Sequence, residues 1–334
     1  MSTKVVIISR AGEASLPTAS AKALRVRHEV AFAKRHTAPS HEEAIALLRG
    51  AHVLATTNVT LPVLDAELLD ALPDLRHIVL YATGYEHLDL AALAARGIGV
   101  TTLPEYATNA VAEHALALIF ASATRVHLAN EKARGRVRSD VSLRGVEITS
   151  RTLAVIGVGR IGTRLAGLAR GLGMRVVGVD IDPSAAAVAR AEGIEMAGLR
   201  SALAEADLVA VCASTRPGVP PILGAEEFAL LHPDAFVVNV GRPVLVDQSA
   251  VRDALLTHRL RGYAVDEIAF DADDPIDRLL LAEGRIIQTA HSAWWRDEVL
   301  ARGAIMFATA IQAAADGAPV DVVAARVELA GSAR

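Results

Sequence analysis

Residues 153–180 read LAVIGVGRIGTRLAGLARGLGMRVVGVD, and three glycines near the start of that stretch constrain the fold more than any other feature of the chain. Gly157, Gly159 and Gly162 form G-x-G-x-x-G directly after a strand-forming run and at the opening of a helical pattern. A turn of that spacing needs residues without a Cβ, so that the backbone can approach a pyrophosphate at the positive end of the following helix. The next strand-like run ends at Asp180, about where a carboxylate that accepts ribose hydroxyls is expected. The whole βαβ context predicts a dinucleotide turn over Gly157, Gly159, Arg160, Ile161 and Gly162, with Arg160 near the phosphates. Asp180 repels a 2′-phosphate, so NAD is expected in preference to NADP.

Around this turn, short β-branched runs alternate with Ala/Leu-rich stretches, the pattern of an α/β protein with parallel sheets. Early strands are predicted at 5–8, 52–55, 77–80 and 98–100. Helices are predicted at 41–49, with Ser40 as N-cap, and at 89–95, stopped by Gly97. Pro104 marks a crossing into a second domain, which opens with one long helix over 107–126. Six further strands, at 152–156, 175–179, 208–211, 235–239, 261–265 and 285–288, match a doubly wound nucleotide-binding sheet. A final helix over 297–315 is expected to return to the first domain. The expected architecture is therefore two doubly wound parallel-sheet domains, a Rossmann cofactor domain (104–291) inserted in a flavodoxin-like substrate domain (1–103 plus 292–334).

A chain of 334 residues, 52% of them apolar, can fill two such cores. The segment AVAEHALALIFASATRV carries Glu113, His114 and Arg125, so it reads as a buried helix rather than a membrane span. The start, MSTKVVIISRAG, has no cleavable apolar region. One cysteine, Cys212, excludes an internal disulfide and fits a reducing cytoplasm. A net charge of −4 with scattered signs gives no nucleic-acid signal, and the histidines show no metal-ligand spacing.

Ligands of open parallel sheets bind beyond the carboxyl ends of the strands. Three successive strand ends carry polar groups: 235–239 leads to Arg242, 261–265 to Asp266, and 285–288 to Thr289-Ala290-His291. Together with YATGYEHLDLAALAARGIGVT, NAVAEHALAL, NVGRPVLVDQSAVRDAL, GYAVD and AHSAWW, in that order, they resemble the D-isomer-specific 2-hydroxyacid dehydrogenases over nearly the whole chain. The resemblance implies NAD-dependent interconversion of a small 2-oxo acid and a D-2-hydroxy acid, acting as a 2-oxo acid reductase, and a homodimer with contacts near residues 107–143. It makes Arg242 the carboxylate-binding and carbonyl-polarising residue, a planar task suited to guanidinium. His291 becomes the general acid/base beside the nicotinamide. Asp266 falls near the carboxamide, Thr83 and Gly84 supply backbone donors to the substrate carboxylate, and Cys212 and Val240 line the cofactor.

The pattern departs from the family in three places. Members place a glutamate five residues after the aspartate at Asp266 to orient the histidine, and a proline follows it. Here DEIAFDADDP puts Asp271 at that count and Asp274 before the proline, with Asp273 and Glu267 also available; Asp271 is the expected partner of His291. Pro243 follows the arginine where glycine is common, and Ala290 precedes the histidine where proline is common. Trp294 and Trp295 suit a substrate-pocket lining or a hinge equally. Two other functions fit the same scaffold: a dehydrogenase of another small anion, formate or phosphite in type, and a non-catalytic NAD-sensing relative of the family's corepressors. Arg242 and His291 weigh against the second.

Overall fold

The computed structural model describes residues 2–216 and 218–323. It divides into two compact units, Met1–Ala107 with Asp297–Arg334, and Thr108–Arg296. The crossings lie a few residues beyond Pro104 and His291, and packing accounts for both offsets. Leu103 and Tyr106 are buried in the first unit, where Tyr106 meets Tyr81 edge-on at 5.4 Å and its carbonyl accepts from Arg302 Nε. Ser292 and Ala293, in turn, are bonded to Asp266 of the second unit.

The first unit holds a five-stranded parallel sheet of strands Lys4–Ser9 (β1), Glu29–Lys34 (β2), Val53–Thr56 (β3), His77–Leu80 (β4) and Gly99–Thr101 (β5), ordered β2-β1-β3-β4-β5. That 2-1-3-4-5 order is flavodoxin-like. The central strands are buried on both faces, which is why they read as unbroken apolar runs. β2 was not among the expected strands: it pairs only with β1, and its residues are partly or fully exposed. The helix His41–Leu48 begins with a full capping box, Ser40 Oγ accepting from Glu43 N and Glu43 Oε2 accepting from Ser40 N.

The chain re-enters this unit with the helix Asp297–Ala315. Its length and composition would suffice to cross a membrane. Its stripe of Val299, Gly303, Phe307 and Ile311, however, is buried in the unit, with Phe307 edge-on to Tyr81 at 5.1 Å.

The second unit is a seven-stranded parallel sheet: Thr152–Ile156 (β6), Arg175–Val179 (β7), Glu195–Met196 (β8), Leu208–Val211 (β9), Phe236–Asn239 (β10), Gly262–Val265 (β11) and Ile286–Gln288 (β12). Its order is β12-β11-β10-β9-β6-β7-β8. The strand beyond the expected six is β8, whose two residues are too short to leave a periodic signal. Alternate residues feed two cores. Leu153, Val155, Ala210 and Val238 pack with Ala115 and Ile119 of the helix Thr108–Thr124, while Ala154, Ile156, Val209 and Val237 pack with Tyr263 and Leu280. That helix stops short of the expected 126, because Arg125 adopts a left-handed backbone (φ 57°, ψ 27°) and a separate helix, Val126–Ala133, follows. The order of strands reverses at β6 and β9, so the carboxyl ends of these strands flank the switch point at which such sheets take ligands.

Candidate active site

The glycine turn has the geometry that its spacing implies. Gly157 lies at φ 90°, a backbone closed to L side chains, and a Cβ there would come within 2.5 Å of Ala213 N. A Cβ on Gly162 would lie 2.0 Å from Gly157 O, so only glycine lets the helix Arg160–Gly171 start this close to β6. Gly159 differs: it is exposed at the N-cap of that helix, and a Cβ there would meet nothing within 4 Å. The turn is thus closed on its protein side and open at the helix N-terminus, a cradle that fits a pyrophosphate. Arg160 and Ile161 form the first turn of the helix.

Asp180 directly follows β7 and is half-buried. Its Oδ2 accepts from Val158 N at 2.8 Å, and its Oδ1 accepts from Asp182 N at 2.9 Å. These bonds fix the carboxylate against the glycine turn while each oxygen keeps a lone pair for a ribose hydroxyl. Cys212 follows β9, and burial pushes its thiol up to about 12, so it is a packing residue and no nucleophile. Val240, at the end of β10, is buried.

Beyond β10, Asn239 organises the arginine loop. Its side chain accepts from Gly241 N at 3.0 Å and donates to Arg242 O at 2.9 Å and to Tyr263 Oη at 3.2 Å. Arg242 is half-buried, with Nη1 donating to Gly241 O at 3.1 Å. Pro243 opens a single 3-10 turn, Pro243–Leu245, where its fixed φ suits the first position.

Asp266, at the end of β11, is buried and accepts three donors from the histidine loop. Thr289 Oγ1 and Ser292 N reach Oδ1 at 2.9 Å, and Ala293 N reaches Oδ2 at 3.1 Å. His114 stands behind this group, its Nε2 2.9 Å from Thr289 Oγ1 and its Nδ1 3.3 Å from Arg296 Nη2. Because the threonine hydroxyl donates to Asp266, it must accept from His114 Nε2–H, and Arg296 then donates to the Nδ1 lone pair. This directionality needs a neutral His114, and burial does lower its pKa. The sequence shows His114 only as a polar residue of a buried helix, and its place in NAVAEHALAL is the signal there for its position behind the loop.

His291 itself is half-exposed, with a left-handed backbone at φ 53°. Its Nδ1 lies 2.6 Å from Glu267 Oε1. The expected partner, Asp271, is turned elsewhere. It is exposed, its Oδ1 accepts from Asp273 N at 2.9 Å, and its own N–H donates to Asp277 Oδ2. Counting along the chain fails here because the intervening residues are anchored. Phe270 is buried edge-on to Tyr263 at 5.8 Å, and Gln288 Oε1 accepts from both Ala269 N and Phe270 N. Asp274 caps the helix Pro275–Ala282 through Ile276 N and Asp277 N, and Asp273 is exposed. Trp294 and Trp295 pack edge to face at 5.0 Å, with Trp295 facing solvent. In the first unit, Thr83 and Gly84 follow β4, and Thr83 Oγ1 donates to Leu103 O at 3.1 Å.

Residues 116–293, inside the second unit, match the model of the D-isomer specific 2-hydroxyacid dehydrogenase NAD-binding domain. The chain belongs to that family. D-3-phosphoglycerate dehydrogenase of Mycobacterium bovis is 31% identical over 255 residues, 76% of this chain and 47% of that protein, so the chain spans about half the length of that relative. Glycerate dehydrogenase of Methylorubrum extorquens is 30% identical over 293 residues, 85% of this chain and 89% of the relative. The solved structure of a glyoxylate reductase from Paecilomyes thermophila shares the fold, with a TM-score of 0.82 at 20% identity and coverage of 96% and 98%. The second unit is accordingly an NAD-binding domain, and the open cradle at Gly159 with Asp180 beside it fits that cofactor.

Proposed function

We propose that the chain reduces a small 2-oxo acid to the D-2-hydroxy acid with NADH. The observation that carries this reading is the close pair of His291 and Glu267 at the sheet edge that also bears Arg242 and Asp180. When bound, NADH supplies the hydride. Gly157 and Gly162 let the turn and helix close on β6, Gly159 leaves room for its pyrophosphate, and Asp180 accepts its ribose hydroxyls. Arg242 holds the carboxylate of the acid with its planar fork. His291 Nδ1–H donates to Glu267, which leaves Nε2 to give a proton to the carbonyl oxygen and to recover it in the reverse direction. Asp266 acts through the loop that bears His291, its oxygens receiving three donors from that loop.

The test is NADH consumption with glyoxylate, hydroxypyruvate, pyruvate and bulkier 2-oxo acids. At least one should turn over, His291→Asn should abolish turnover, and Glu267→Gln should lower kcat by roughly 10²-fold while Asp271→Asn leaves it within about twofold. No turnover of any 2-oxo acid, with NADH formed from formate or phosphite instead, overturns the substrate class. Equal loss in the Glu267 and Asp271 variants overturns the pairing.

A further inference from the structure

A second cluster of chemistry lies at the opposite edge of the seven-stranded sheet. Arg261 and Arg285 directly precede β11 and β12, at the amino ends of the strands whose carboxyl ends lead to Asp266 and His291. With Arg125 they line a cavity of about 480 Å³ in the second unit. Each guanidinium is held by a neutral backbone carbonyl: Arg125 Nη2 donates to Glu283 O at 2.6 Å, Arg261 Nη2 to Arg144 O at 2.9 Å, and Arg285 Nη2 to Leu255 O. Two of them also make long ion pairs, Arg261 with the largely exposed Asp234 at 3.7 Å and Arg285 with Glu283 at 3.9 Å. Arg138 and Asp140, also on the wall, pair with each other. Arg125 Nε is buried with no hydrogen-bond partner among the described residues. Burial first, then the positive charges of Arg261 and Arg285, lowers the pKa of Arg125, against an opposing contribution from Glu283.

Guanidiniums whose hydrogen bonds go to neutral carbonyls, with carboxylates no nearer than 3.7 Å, have their charge only partly compensated and keep N–H groups free for an anion. Such forks match tetrahedral or planar oxyanions in preference to a single halide. We propose that this cavity binds a small oxyanion with two or more negative charges, held by Arg125, Arg261 and Arg285. Inorganic phosphate and the phosphate of a small phosphomonoester share this chemistry. The site is independent of the reductase reading, because it uses none of the carboxyl-edge residues.

The experiment is calorimetric titration of the full-length protein with inorganic phosphate and, separately, glycerol phosphate, at ionic strength held constant with sodium chloride. Saturable binding in either arm is expected, and the tighter arm identifies the source. Arg125→Gln should weaken it at least tenfold. Arg261→Lys, which keeps the charge and loses the fork, should weaken it several-fold and serves if the first variant does not fold. Absence of saturable binding, or wild-type affinity in both variants, overturns the proposal. So does a dimer, seen by sedimentation, that dissociates in Arg125→Gln while phosphate fails to bind, since acidic groups of a second copy would then compensate the arginines.

Discussion

Gly159 and Gly162 stand three residues apart in one motif, yet their surroundings predict opposite consequences of adding a methyl group. A Cβ at Gly162 would sit 2.0 Å from Gly157 O and 3.1 Å from Val155 Cγ1, so the helix Arg160–Gly171 must move off β6. Overpacking of this kind costs about 1–3 kcal/mol. Better helix propensity returns up to about 1 kcal/mol. A contact of 2.0 Å puts the cost at the upper end, a net of about 2 kcal/mol, and in a domain of this size each kcal/mol shifts Tm by about 2–4 °C, so Gly162→Ala should melt roughly 4–8 °C lower without cofactor. At Gly159 the Cβ meets nothing within 4 Å, and the backbone (φ −66°, ψ −166°) is one that alanine adopts. Only the weaker N-cap is lost, about 0.5 kcal/mol, or less than about 2 °C.

The methyl of Gly159→Ala would instead occupy the space into which the helix N-terminus opens. NADH affinity should fall at least tenfold, about 1.4 kcal/mol. Scanning calorimetry of the cofactor-free variants and fluorescence titration with NADH separate the two effects. The reasoning is refuted if Gly159→Ala loses as much stability as Gly162→Ala and still binds NADH like the parent.

Four other outcomes follow from the same structure. Asp180→Ala should remove the group that repels a 2′-phosphate, shifting the NADH/NADPH preference by at least tenfold toward NADPH in parallel kcat/KM measurements. Cys212, with its thiol pushed up to about 12 by burial, should resist iodoacetamide at pH 8 in the native protein and react only after unfolding, as read by mass spectrometry. Burial holds His77 at about 4, below the ordinary 6.5, so the folded state favours the neutral ring; the resulting stability is complete above about pH 6.5 and is lost as pH falls toward 4. That loss amounts to at most about 3 kcal/mol, and a urea midpoint in His77→Gln that still falls as steeply between pH 7 and 4.5 would contradict it. Asp266→Asn leaves a buried amide against N–H donors, costing about 1–3 kcal/mol and lowering hydrogen-exchange protection of the Ser292 and Ala293 amides.

What the sequence revealed is local, and what it concealed depends on folding. The glycine spacing, Asp180, the Ser40 cap and the central apolar strands are each decided by residues within one βα unit. β2 escaped notice because EVAFAK is an edge strand with little burial, and β8 because two residues carry no period. Glu267 was legible as a candidate but not as the partner of His291. Choosing it over Asp271 requires knowing that Phe270 and Gln288 tie down the chain in between. The role of Asp266 was equally hidden, since its donors come from 23 to 27 residues further along.

The same network compensates for Ala290, which stands before the histidine where proline is common. A proline before the histidine would restrain the backbone by its ring, and this chain lacks it. His291 nonetheless sits in the left-handed region, which costs a non-glycine residue about 1 kcal/mol or more and persists only where the surroundings over-determine it. Asp266 supplies that determination from both sides of His291, binding Thr289 before it and Ser292 and Ala293 after it. The relay from Arg296 through neutral His114 to the Thr289 hydroxyl fixes the direction of every hydrogen bond in the set. Glu267, one residue beyond Asp266, then meets the ring from the same strand end. A histidine aimed by backbone bonds to a buried carboxylate needs neither the proline nor a carboxylate five residues downstream. In this chain the restraint lies on Asp266, the carboxylate that meets the ring is Glu267, and Asp271 closes the turn before the next helix instead.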